Sequence, residues 1–585
     1  MDRRGKRLTS LAGSSGAAVR WATVLVGLGI GVVGAFAIQP DVVGLFHDDG
    51  LYVSVAQSMV EGNGNRLASL PGTPAQTKYP PLYSALVAVA LRVGGGFPNA
   101  IWLIKGISVV SLVLVGFAGA TWYAREVGPG EPWQVVFAFL LCLGPTVLPW
   151  ADYALTDLPF LALVLAIVCA GEGLALRSTS NTPRPVSRRS IVLLAVLIGA
   201  AFLIRQAAAP LVLAVAIPLA YRRRFPELAL FVGLVAAIAL PWLVFKWMNV
   251  PPSDNPLLAY YTRYEPSVPA LWLGGDPSAP GIILGNARYI METLDRSLSL
   301  PAAPGLRPFV YPLIVWGLAR HLKQRLGIYV WFALGYLTLV LLWPFHPARY
   351  LLPIVPLMPL GLILGTRELL RWGDRAGDAR IRFLGRGLAI VPIVAVLLVT
   401  SGWVASYLRN HPAEVRQEWA GYDETFDWVR ANTSPSDILA TPFDPMYYLY
   451  TGRRAVRPWF HRPWTYFYPV GKAIPDIGDP RLAQKAMAAL GVRYLIFDPL
   501  KGFGERASVG AFYERVLALY SGPEYASLPT LRFTSTDSLH RVYELPPPAG
   551  SVPPESPRRD AEARPSQSGS ASPGDVRVAP VTRGG

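Results

Sequence analysis

The chain has 585 residues, 52% of them hydrophobic and 16% charged, with a mean hydropathy of +0.34 and a formal net charge of +16. Soluble domains carry about a quarter charged residues, so this balance points away from a soluble protein and toward an integral membrane protein. The Lys and Arg residues gather in short loops between apolar runs, as cytoplasmic loops of membrane proteins do, so the basic charge predicts no nucleic-acid partner.

In chain order, a basic N-terminus over 1–20 (Arg3, Arg4, Lys6, Arg7) precedes an apolar run over 21–39. That pair predicts an uncleaved signal anchor with a cytoplasmic N-terminus. Residues 40–99 form the first outer loop. The apolar stretch PPLYSALVAVALRVGGG inside it is too short to cross a bilayer and predicts a juxtamembrane helix. Further spans are expected at 100–123, 132–149, 157–176, 190–204, 207–221, 227–247, 308–319, 327–343, 350–365 and 387–406. The segment 248–306 is a large outer loop. This arrangement of about eleven spans puts every dense arginine cluster on one face, including Arg184, Arg188 and Arg189, then Arg222 to Arg224. Cys142 and Cys169 both fall inside apolar runs, so neither a disulfide framework nor a zinc spacing is available.

After 406 the composition becomes that of a soluble unit. ETFDWVRANTSPSD predicts a helix with a Ser/Pro stop, and DILATPF a strand. PRLAQKAMAALG predicts a helix, VRYLIFD a buried strand, and LPTLRFTSTDSLHRVYEL a terminal hairpin around TSTDS. The expected fold class is therefore an α-helical polytopic membrane protein with a small extracytoplasmic α/β domain over 407–545. The tail 546–585 is too poor in apolar residues to pack and is expected to be disordered.

Under this topology the candidate site residues share the outer face. Asp48 and Asp49 follow the first span, with Tyr52 close behind, and Lys78 and Tyr79 close the same loop. Asp152 and Asp157 flank YALT, Arg205 sits at a hinge, and His346 and Arg349 lie in WPFHPARY. Adjacent carboxylates repel unless water or a cation relieves them. Acidic and basic groups converging from separate loops suit a phosphate ligand, with or without a divalent cation. Each residue also has a plainer reading, as solvated loop, snorkelling anchor, helix cap or turn residue.

These residues resemble a known pattern. DDGLY after the first span, KYPPLYSALVAVALRVGG, TDLPF and ARYLLPIVPLMPL, in this order, are similar to the motifs of family C glycosyltransferases (GT-C). The protein mannosyltransferases and the bacterial aminoarabinose transferase are the groups most alike, over about residues 20–400. The resemblance implies a polytopic membrane enzyme that moves a sugar from a polyprenyl-phosphate donor to a hydroxyl on a lipid, glycan or protein acceptor. It implies Asp48 as catalytic base, with Asp49 and Asp157 beside it. Lys78, Arg349 and Arg205 would bind the donor phosphate, and Asp48 and Asp157 would hold a divalent ion such as Mg or Mn. Tyr52, Tyr79, His346 and Asp152 are further candidates. One departure stands out: some bacterial members carry a glutamate before the lysine, where this chain has Thr77. A single displacement would invert the anomeric centre. The chain composition fits a bacterial inner membrane. Two other readings, a lipid-linked sugar flippase and a non-catalytic scaffold with a partner-binding outer domain, stay open at this point; the former favours broken helices at the bilayer midplane.

Overall fold

The computed structural model describes residues 21–128, 131–171, 174, 187–249, 255–262, 271–273, 279–375, 378–459, 478–499 and 506–549. The basic N-terminus 1–20, the arginine-bearing stretch 175–186, parts of the 248–306 loop and the tail from 550 lie outside the described residues.

Among the described residues the chain is mostly helical with one small sheet, and three helices there are long and apolar enough to cross a membrane: Ile101–Val127, Phe225–Met248 and Ala379–Asn432. Shorter apolar helices fill most other expected spans, including Trp21–Ala37, Asp157–Ala170 and Ile328–Leu341. Two of the expected spans are cut by proline chemistry. The helix Trp133–Leu143 stops at Gly144, which is extended (ψ 154) before Pro145, and a 3-10 turn Leu148–Asp152 follows. The residue before proline avoids the helical region, so a break here is the physical outcome. Likewise the run from 350 forms only a 3-10 turn, Ala348–Leu351. Its helix starts at Leu357, beyond Pro353 and Pro356.

The final span does not end near 406. One helix of 54 residues runs from Ala379 to Asn432, roughly 80 Å at the standard rise. Asp378 caps its start by accepting from the Arg380 N–H, and Thr433 and Pro435 end it. The polar stretch that follows the apolar part keeps helical spacing, so the helix continues from apolar surroundings into the α/β unit. Helices Arg307–Gln324 and Leu357–Arg375 meet through glycines. A Cβ added at Gly365 would lie 2.0 Å from the Leu313 carbonyl oxygen, and one at Gly317 would lie 2.3 Å from that of Gly361. Close backbone approach through small residues is how helices associate where no water is expelled.

The sheet comprises β1 (Ile438–Ala440), β2 (Ala455–Val456), β3 (Val492–Phe497), β4 (Thr530–Thr534) and β5 (Arg541–Glu544), in the order β2-β1-β3-β5-β4. β1 pairs in parallel with β2 and β3, and β5 runs antiparallel to β3 and β4. The terminal hairpin expected from the alternation is β4–β5, with Thr534 opposite Arg541. The helix Pro480–Ala489 and strand β3 also fall where the sequence placed them. The sheet does not have a core of its own. Leu51, Val55, Leu67 and Leu70 of the first outer loop share one buried cluster with Tyr422, Phe426, Met446 and Tyr447. The described parts of 40–99 and 407–545 therefore pack as a single unit, and that packing positions the candidate site.

Candidate active site

The site starts with a loop forced against the α/β unit. Gly44 has φ +105, and a Cβ there would sit 2.5 Å from the Met446 Cβ. Only glycine allows both that conformation and that approach. Asp49, 2% exposed, accepts from the Gly44 N–H at 2.9 Å and the Gly50 N–H at 3.0 Å. Burial raises its pKa, opposed by those two N–H donors. Asp49 is thus the tie that folds the loop. His47 takes a strained positive φ of 64, a conformation that costs on the order of 1–3 kcal/mol. Asp444, fully buried at the start of helix Asp444–Thr451, holds it through a 2.8 Å bond to Nε2, and Tyr261 donates to the same carboxylate at 2.8 Å.

This loop aims Asp48 at the opposite side of the fold. Its Oδ2 pairs with Arg349, and its Oδ1 accepts from the Tyr79 hydroxyl at 3.1 Å. His47 Nδ1 lies 3.9 Å from Oδ1. Both partners of the ion pair are largely buried, with 15% and 16% of their side chains exposed. Burial alone pushes the Asp48 carboxyl up, but the Arg349 guanidinium and the adjacent His47 ring outweigh it and hold the group far below the usual carboxylate range. The Arg349 guanidinium also lies 4.9 Å from the Phe46 ring and 5.2 Å from that of Tyr350.

Asp157 enters through a second pair. Its Oδ1 accepts from Arg205 at 2.6 Å, and its Oδ2 is buried with no partner among the described residues. Arg205 stands 4.8 Å from the Tyr350 ring, so one tyrosine carries both guanidinium groups and joins the two pairs. Tyr52 is buried against the Tyr79 and Tyr83 rings. Burial and the Asp48 charge push its hydroxyl upward. Lys78 Nζ donates to the Tyr260 carbonyl at 3.2 Å and lies 4.4 Å from that ring and 5.5 Å from the Tyr79 ring. Thr77 donates to the Thr262 carbonyl, so helix Pro256–Thr262 of the large outer loop seats on the lysine segment.

Two candidates stand elsewhere. Asp152 accepts from Lys105 at 2.7 Å, from the Gln39 N–H at 2.7 Å and pairs with His411 at 3.0 Å. It is the hub of a buried network tying three segments together. His346 accepts from the Ala348 N–H at 3.4 Å and packs its ring 4.1 Å from Tyr289, in keeping with a turn residue. The residue that sequence reasoning missed is Arg457, which follows β2. It reaches the Tyr260 hydroxyl at 3.2 Å and faces the same ring at 5.5 Å. Nothing local in RRAVRPWF distinguishes it from its neighbours; only the packing of β2 against 256–262 does.

The carboxylates do not fit a divalent cation as they are placed. Asp48 and Asp157 each spend an oxygen on a guanidinium, and among the described residues no cluster of three or more His, Cys, Asp or Glu side chains forms. The arrangement is instead two buried ion pairs, Asp48–Arg349 and Asp157–Arg205, both beside the Tyr350 ring.

No protein-family model matches the chain, and no curated protein matches its sequence. Solved structures do match its fold. ArnT from Cupriavidus metallidurans in the apo state aligns with a TM-score of 0.52 at 14% identity, over 90% of this chain and 98% of that one. ArnT from the same organism bound to undecaprenyl phosphate gives 0.51 at 14% identity, over 89% and 97%. The oligosaccharyltransferase AglB from Archaeoglobus fulgidus, in complex with an inhibitory peptide and a dolichol-phosphate, gives 0.50 at 13% identity, over 89% and 74%. These are GT-C glycosyltransferases, and the chain shares their fold.

Proposed function

We propose that the protein is a membrane glycosyltransferase that moves a sugar from a polyprenyl-phosphate donor to an acceptor hydroxyl. The single observation that carries this reading is the buried Asp48–Arg349 pair, formed between residues 301 apart in sequence. A fold shared with structures that hold undecaprenyl phosphate and dolichol-phosphate supports it.

In the resting site Asp48 stands where a phosphate anion is wanted, and while paired it is a poor base. Arrival of the donor phosphate draws Arg349 from the carboxylate, with Lys78 as second cation. The freed Asp48 then accepts the proton of the acceptor hydroxyl, a contribution of about 10²–10⁴ in rate for a well-placed base. The hydroxyl oxygen bonds to the anomeric carbon as the bond to the phosphate oxygen breaks. The negative charge that develops on the departing phosphate oxygen is stabilised by Arg349 and Lys78. Direct attack from the opposite face inverts the centre. Arg205 holds Asp157 in place beside the pair, and Asp157 Oδ2 offers a buried acceptor for a sugar or acceptor hydroxyl. The site belongs to the extracytoplasmic side of a bacterial inner membrane, with the N-terminus inside and the α/β unit outside. The acceptor is a lipid, glycan or protein hydroxyl.

The test is binding of undecaprenyl phosphate to purified protein in nanodiscs. Arg349→Ala is expected to weaken it about tenfold or more, as loss of a charge-assisted bond predicts. Absence of binding by the unsubstituted protein contradicts the proposal. A flippase would bind the lipid equally well but release no free prenyl phosphate from a labelled prenyl-phosphate sugar.

A further inference from the structure

The α/β unit carries a cation, near the Tyr260 and Trp459 rings at 5.5 and 5.9 Å, whose hydrogen-bond donors are only partly used. Arg457 follows β2, and the charge is half-buried. Of its donors, Nη1 reaches the Tyr260 hydroxyl at 3.2 Å and Nη2 reaches the Pro442 carbonyl only at 3.4 Å. Nε is buried and has no hydrogen-bond partner among the described residues. Among the described residues Arg457 forms no ion pair with any carboxylate, unlike Arg349 and Arg205. A desolvated guanidinium with unused donors is costly unless an anion completes it. Its fork of five N–H donors matches oxyanions in particular.

The position says which anion. Arg457 and Lys78 face one ring, that of Tyr260, at 5.5 and 4.4 Å. The charges of Asp444 and, less strongly, Asp48 act on Arg457, and that of Asp48 acts on Tyr260 as well. The guanidinium therefore lies on the ring it shares with Lys78, beside the position proposed above for the donor phosphate.

We infer that Arg457 is a ligand for a phosphate group of the prenyl donor, so that the α/β unit supplies part of the donor site. This rests on the donor reading given above. It makes the outer unit part of the substrate site and explains why its core is fused with the loop that carries Asp48.

The experiment compares binding of two probes, undecaprenyl phosphate and undecaprenyl diphosphate, to the full chain in nanodiscs, with melting temperature measured alongside. Arg457→Gln is expected to weaken at least one probe about tenfold or more. Loss on both probes places the guanidinium on a single phosphate, and loss on the diphosphate alone places it on a second one. Should the glutamine variant fail to fold, Arg457→Lys is read instead. It keeps the charge without the fork, and a loss of about threefold to tenfold is expected. Affinity within about twofold of the unsubstituted protein for both probes overturns the inference. A lowered melting temperature at unchanged affinity does so too and makes Arg457 a strut for Tyr260. If the unsubstituted chain binds neither lipid, the donor reading itself falls, and this inference with it.

Discussion

Asp48→Asn separates the two roles given to this carboxylate. The substitution is isosteric and keeps an oxygen for Tyr79 or Arg349, so the fold should hold. The pair is about 15% exposed on each side, too buried to be dismissed as a surface contact. Trading its charged bond for a neutral one is expected to cost about 1–2 kcal/mol of stability. Turnover should fall about 10²–10⁴-fold, the range for loss of a positioned base, or roughly 3–5 kcal/mol in barrier. Binding should move the other way. In the unsubstituted protein a phosphate must displace Asp48 to gain Arg349, and removing a competitor worth about 1 kcal/mol should tighten undecaprenyl phosphate about fivefold. Release of prenyl phosphate from a labelled donor and lipid binding by the same preparation measure both effects. Unchanged turnover refutes the base, and weaker lipid binding refutes the exchange of Arg349 between carboxylate and phosphate.

Three other outcomes follow from the geometry. Arg349 and His47 hold Asp48 low against the opposing effect of burial, so the stability from this pair is complete above the ordinary carboxylate value near 3.9 and is lost only as pH falls through the lower folded value. Melting curves of Asp48→Asn and the unsubstituted protein should therefore stay parallel from about pH 5 to 8 and converge only in stronger acid; convergence between pH 5 and 7 contradicts the assignment. Gly365→Ala puts a methyl 2.0 Å from the Leu313 carbonyl oxygen, and melting in detergent should report a loss of at least about 2 kcal/mol. Lys105→Ala strands the buried Asp152 beside His411 and should cost about 3–5 kcal/mol. In contrast, a Lys105→Met/Asp152→Leu double variant should cost less than the sum of its single changes in the same assay.

Much of this was legible from pattern alone. Arginine clusters between apolar runs located most helices, and the alternation around TSTDS located β4 and β5. Charges expected at the ends of spans put forward Asp48, Lys78, Arg205 and Arg349 as candidates, because an ionisable group at a membrane edge usually has a partner; the structure pairs Asp48 with Arg349 and Arg205 with Asp157. What escaped depends on contacts between distant segments. Asp49 and Asp48 are adjacent, yet one ties a loop to Gly44 while the other meets Arg349, and no local feature divides those tasks. Asp152 stood among the further candidates, and nothing in its own segment shows that Lys105, buried in the apolar run IWLIKGISVV, claims it. The run past 406 suggested a boundary because its composition changes there, but helix periodicity does not stop where hydropathy does. Arg457 was invisible because the segments that expose it to the site, 256–262 and β2, lie about two hundred residues apart.

The most direct test of the account is mass spectrometry of cell-envelope glycans in a strain lacking this chain, complemented with the unsubstituted protein or with Asp48→Asn. A glycoconjugate should lose one sugar residue in the deletion strain, regain it with the unsubstituted protein and lack it still with the asparagine variant. Glycans identical in all strains, or full restoration by Asp48→Asn, contradict a transferase that works through this carboxylate.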